Sequence, residues 1–148
     1  MRIRARGLFN AVAEGSARQM GEMMKSLPFW FIALAALFAL FGMAWGIQMS
    51  ISQDHTLAGA HAHNNLIGFV AMSIFGFYYR LVPVAARSRL ALVHFGVSLV
   101  GAVAFGPGIA LAITGQGEWL AQIASIATII GMVIFAVTVF RNRAALSI

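Results

Sequence analysis

Four apolar runs, each at least about 20 residues long, set the limits on this chain: 28–51, 57–84, 90–113 and 119–140. Wound as a helix, about 20 residues match the hydrocarbon thickness of a bilayer. Only the connections 52–56, 85–89 and 114–118 separate the runs. Connections this short make successive helices antiparallel neighbours. The pattern therefore predicts an all-α fold: a four-transmembrane-helix up-down bundle forming a single domain over residues 28–148. Of the 148 residues 61% are hydrophobic and 9% charged. A soluble domain carries about 25% charged residues, so this chain cannot cover a surface in water.

Charge sets an orientation. Arg2, Arg4, Arg6, Arg18 and Lys25 precede the first run. Arg80, Arg87 and Arg89 lie at the second connection, and Arg141 and Arg143 follow the last run. In a four-span chain all ten basic residues fall on one side. The positive-inside rule places that side, with both termini, in the cytoplasm of an inner-membrane protein. The net charge of +6 reads as flanking charge around spans, not as a nucleic-acid surface. No cysteine is present, which excludes disulfides, thiolate metal sites, iron–sulfur ligation and covalently attached c-type haem.

The segment 1–27 has two readings. Leu8, Val12, Met20, Met23 and Leu27 recur near helical spacing, with Asn10, Glu14, Arg18, Glu22 and Lys25 between them. That predicts an amphipathic helix on the cytoplasmic membrane surface. The Arg-rich start also suggests a targeting peptide, but no short apolar core with a cleavage site appears before Pro28.

Chemistry has few places to be. In the second run His61, Asn65, Gly68, Met72, Gly76 and Tyr79 follow steps of three and four, so they share one stripe of polar or small residues. Ordinary helix packing explains such a stripe: polar groups find partners and small residues let backbones approach. A ligand site explains it too. Neutral imidazole is the commonest protein metal ligand, and histidine often holds haem iron. Asn64, Asn65, Asp54 or a backbone carbonyl then orients the other ring nitrogen. His63 is a second candidate, pointing about 200° away from His61 on a regular helix.

His61, then Gly76-Phe77, then Pro83 resembles the second transmembrane helix of the haem-copper oxidase catalytic subunit. The whole chain is similar to a short version of that subunit's first four helices, a group that includes the nitric oxide reductases. The resemblance implies a b-type haem on His61, with Gly68, Met72 and Gly76 beside it. It implies electron transfer or haem/gas ligation within a respiratory system, with a redox partner. It does not imply complete oxygen reduction, because the family's copper and high-spin haem ligands lie on later helices. The competing expectation is a non-catalytic assembly or structural subunit, or one that binds a metal ion.

The remaining features have plainer readings. His94 lies near the cytoplasmic end of the third run, roughly tens of ångströms in depth from His61. It is expected to be packed and hydrogen-bonded, with a second haem site as the minority reading. His55, His61 and His63 also permit copper or zinc at the outer face. Gly42 and Gly46 give a small-xxx-small pattern, a helix-contact or homodimer face. Trp30 and Trp119 read as interfacial anchors against membrane lipid. Gly106-Pro107-Gly108 is expected to kink or break the third helix.

Overall fold

The computed structural model describes the backbone of residues 2–145, with side chains from residue 26 onward and at Gly15 and Glu22 before it. Helix α1 is continuous over Arg2–Ser52 and contains Pro28. Apart from Glu22 and Leu27, the amphipathic reading of 1–27 rests on side chains outside the described residues. Then come α2 (Ala58–His63), a π-helical segment (Asn64–Ala71), α3 (Met72–Leu81) and α4 (Pro83–Ala86). Helices α5 (Arg89–Ile113) and α6 (Trp119–Arg141) follow, and a 3-10 turn spans Arg143–Ala145. The described residues contain no strand, as expected for an all-α chain.

The four-span bundle requires correction. Among the described residues three helical stretches are long and apolar enough to cross a membrane: Ser26–Ser52, Arg89–Ile113 and Trp119–Arg141. The run 57–84, expected as one spanning helix, is divided. Its middle adopts the wider i→i+5 hydrogen-bond pattern over Asn64–Ala71. Widening reduces the rotation per residue, which lets the neighbours Asn64 and Asn65 both face α1. At its end Val82 leaves the helical region, with φ −121° and ψ 73°. Pro83 disfavours the α conformation at the residue before it and opens a new helix.

The segmented stretch 58–81 runs back along α1. The contacts begin where Gly46 meets His61 and continue to where Pro28 and Phe31 meet Gly76. That is about 27 Å of α1. Helices α5 and α6 pair closely because small residues remove side-chain bulk between them. A Cβ added at Gly108 would lie 2.6 Å from the Ala121 backbone nitrogen. Of the kink or break expected at Gly106-Pro107-Gly108, the break does not occur: α5 continues through Pro107. A proline is tolerated inside such a helix because neighbouring helices serve the freed backbone groups. The turn between α5 and α6 uses Gly115 at φ +72° and Gly117 at φ +126°, conformations that side-chain-bearing residues rarely adopt.

The core is asymmetric along the helix axes. Leu27, Phe31, Met72, Tyr79, Val82 and His94 are the largest fully buried side chains. Most of them lie toward the end that carries Arg80, Arg87, Arg89 and Arg141. Large apolar side chains such as Phe41, Ile51, Leu66, Phe77, Ile129 and Phe140 cover the outside, the surface that hydrocarbon solvates.

Candidate functional site

The polar stripe faces α1 and is filled by it. Asn65 occupies the space over Gly42, so closely that a Cβ at Gly42 would overlap its amide. His61 sits over Gly46, whose added Cβ would lie 3.4 Å from His61 Cε1. Further down, the partners reverse. A Cβ at Gly68 would lie 2.5 Å from the Phe38 ring, and one at Gly76 would lie 2.6 Å from Ile32. Met72 and Tyr79, on the same stripe, are fully buried. The Gly42/Gly46 pattern therefore serves a contact within the chain. A homodimer would have to use another face.

His61 is committed inside this seam. Its Nε2 lies 3.0 Å from Asn65 Nδ2, one helical turn on. When the Asn65 amide donates, Nε2 accepts and the ring hydrogen sits on Nδ1. His61 Nδ1 is buried with no partner. In that tautomer the unpartnered Nδ1 is a buried N–H, and the ring stands edge-on to Trp45 with centroids 5.9 Å apart. A haem iron requires the lone pair that Asn65 occupies. The macrocycle would also need the room that Phe38 and Ile32 fill. The residues of the stripe His61, Asn65, Gly68, Met72 and Gly76 therefore do not fit a haem between α1 and the segmented stretch.

The other two outer histidines are prepared differently. His63 Nδ1 lies 2.8 Å from the Gly59 carbonyl, and His55 Nδ1 lies 3.3 Å from that of Gln53. Donation to a carbonyl fixes the hydrogen on Nδ1 and leaves an Nε2 lone pair, the arrangement that orients metal-ligating imidazoles. His63 turns away from α1 and stacks on Phe105 of α5, with centroids 4.9 Å apart and planes 14° apart. Beside His55, Asp54 accepts from the Thr56 backbone N–H at 2.9 Å. The Thr56 side chain, followed by its backbone N–H, holds the Asp54 carboxyl below the usual carboxylate range. No group of three or more His, Cys, Asp or Glu side chains converges among the described residues.

His94 forms a separate centre. Its Nδ1 meets the Tyr79 hydroxyl at 2.9 Å, and Phe31, Phe75 and Phe135 surround the ring. His94 Nε2 is buried without a partner. Phe31 and Trp45, the α1 residues against His94 and His61, are about 21 Å apart along the helix. One ligand does not bridge these centres, so His94 is the packed, hydrogen-bonded residue that its position suggested.

Two polar features carried little signal in the sequence. Asn64, only 4% exposed, sends its amide to the Phe38 carbonyl at 3.3 Å. Ser98 and Thr128 have buried hydroxyls without partners. By contrast, Ser125 and Thr138 bond the carbonyl four residues back on α6, at 2.8 Å and 2.7 Å. Ser98 and Thr128 line an internal cavity of about 30 Å³ with Met72 and Phe75. The sequence places His94 and Ser98 on one stripe, but nothing in it shows that Thr128 lies opposite.

No protein-family model matches the chain, and neither a curated protein nor a solved structure shows significant similarity to it.

Proposed function

We propose that this membrane protein is a non-catalytic subunit whose buried polar residues hold its helices in register. The filled seam carries this reading: Gly42 receives Asn65, Gly46 receives His61, and Phe38 fills the space at Gly68. A bilayer offers no hydrophobic drive between helices, so close backbone approach and internal hydrogen bonds must supply the specificity.

A second reading, imidazole ligation at the outer end, has its own support. His63 and His55 each retain an Nε2 lone pair while Nδ1 is held by a carbonyl. The ligand would be haem iron, serving electron transfer or gas binding, or a copper ion. His63, not His61, would carry it. The visible spectrum of protein purified from haem-replete membranes separates the readings. The packing reading expects no stoichiometric Soret band. A band lost in His63→Ala and kept in His61→Ala would replace it with the ligation reading.

The proposed orientation puts the arginine end in the cytoplasm of an inner membrane, with both termini on that side because the divided stretch 58–81 runs back along α1 from Gly46 to Pro28. Arg80, Arg87, Arg89 and Arg141 supply its charge. Since the chain has no native cysteine, single cysteines at Ser52 and Gln116 should react with impermeant reagents from outside. Reaction only in inverted vesicles would reverse the orientation.

A further inference from the structure

Three buried polar atoms without a partner gather along α5 and the facing side of α6: His94 Nε2, Ser98 Oγ and Thr128 Oγ1. Ser98 lies one turn along α5 from His94, about 6 Å further from the basic end. The His94 ring is enclosed by Phe31 of α1, Phe75 and Tyr79 of α3 and Phe135 of α6. Of these neighbours only Tyr79 can give or take a proton. Its hydroxyl meets His94 Nδ1 at 2.9 Å and also bonds the Thr138 side chain. Thr138 Oγ1 donates its own hydrogen to the Ile134 carbonyl at 2.7 Å, so toward Tyr79 it can only accept. The Tyr79 hydrogen therefore points to Thr138, the Tyr79 oxygen accepts from His94 Nδ1–H, and His94 Nε2 carries a lone pair. No protein donor among the described residues serves that lone pair.

The two ends of this line differ. Thr138 borders a cavity of about 270 Å³ at the basic end, shared with Ser88, Arg141 and Asn142, where water has room and polar partners. At the other end Ser98 and Thr128 border the cavity of about 30 Å³, enough for one water. Both hydroxyls are free to hold it, because neither is spent on a carbonyl of its own helix. Beyond Thr128 the seam closes. The Ser125 hydroxyl is committed to the Ala121 carbonyl at 2.8 Å, and at Gly108 the α5 backbone packs directly on Ala121. A file of exchangeable hydrogens runs from the basic end to a water well inside the bundle and stops there.

We infer that Thr138, Tyr79 and His94 form a one-sided proton relay between the basic end and a water held by Ser98 and Thr128. Ionisable groups inside a membrane bundle are suited to such relays. An excess proton on the inner water is taken by His94 Nε2. Nδ1 gives its hydrogen to Tyr79, Tyr79 gives its own to Thr138, and Thr138, turned from Ile134, gives one to water in the basic cavity. One proton enters the file and one leaves, every group ends neutral with the ring in its other tautomer, and the reverse sequence carries a proton in. Nitrogen-15 NMR of histidine-labelled protein in bilayers tests this, with the His94 signals identified by their absence in His94→Gln. Nε2 should show the shift of a nitrogen that accepts a hydrogen bond, and Ser98→Ala should weaken that shift. The Nδ1 hydrogen should exchange with deuterated water. Thr138→Val keeps the side-chain shape without the hydroxyl and should slow this exchange about tenfold, the worth of one hydrogen bond. Thr138→Ser restores the hydroxyl and should exchange as the wild type does. A purely structural Thr138 would act the other way, since a loosened bundle exchanges faster. An Nε2 shift typical of a bare lone pair, or exchange in Thr138→Val as fast as in the wild type or faster, would overturn the relay.

Discussion

Gly68→Ala tests the filled seam through a single methyl group. In an exposed helix, alanine for glycine is favourable by up to about 1 kcal/mol. At Gly68 the new carbon would lie 2.5 Å from the Phe38 ring and 3.0 Å from Phe38 Cβ. The nearest atoms belong to the root of a stiff side chain, so a small swing of the ring tip does not relieve the contact. Overpacking of this kind costs about 1–3 kcal/mol. The net expectation is destabilisation by about 1–2 kcal/mol. Gly96→Ala is the matched control on α5, since a Cβ there meets nothing within 4 Å. It should be neutral or slightly stabilising. Phe38→Ala opens the space, and the double variant should recover about 1 kcal/mol relative to the sum of the single effects. Reversible unfolding in mixed micelles measures all four proteins. If Gly68→Ala behaves like Gly96→Ala, or if the double variant is additive, Phe38 does not fill the seam and the reasoning fails.

Two further outcomes follow from the buried polar groups. Tyr79→Phe removes the hydroxyl bonded to His94 Nδ1 and should cost about 1–3 kcal/mol by leaving that nitrogen buried and unsatisfied; an unchanged thermal midpoint would contradict this. The cavity of about 30 Å³ between Ser98 and Thr128 has room for one water. Ser98→Ala should therefore destabilise by about 0.5–1.5 kcal/mol, whereas a stabilised variant would mean that the cavity is dry.

What the sequence discloses depends on which physical rule acts locally. Steps of three and four identify the stripe from His61 to Tyr79, because residues at that spacing share a helical face whatever lies opposite. The partner is not legible in the same way. Phe38 and Ile32 carry no polar signal, and a helical wheel does not show whether the space over Gly68 is empty or filled. The stripe therefore supports a ligand cradle and a packing seam equally well until α1 is placed. The interruption at Asn64–Ala71 is hidden for a related reason: a pattern read at 3.6 residues per turn assumes the regularity that Asn64 and Asn65 break by both turning to α1. Pro107 misleads in the opposite direction, since α5 continues as helix through it. The three long spans are the plainest part, because length and hydropathy alone determine them.

The central claim is that α1 lies directly against the stripe, with no cofactor between them. Disulfide formation between Gly42→Cys and Asn65→Cys tests it in the native membrane, where the absence of other cysteines keeps the readout clean. A disulfide needs Cβ atoms about 3.5–4.5 Å apart, far less than the separation imposed by an intervening macrocycle. The control pair Gly42→Cys with Leu66→Cys places the second thiol on the exposed face. The account predicts rapid loss of both thiols in the 42/65 pair under mild oxidation, and no loss in the 42/66 pair. Failure of the 42/65 pair to close, or closure that haem supplementation prevents, would contradict it.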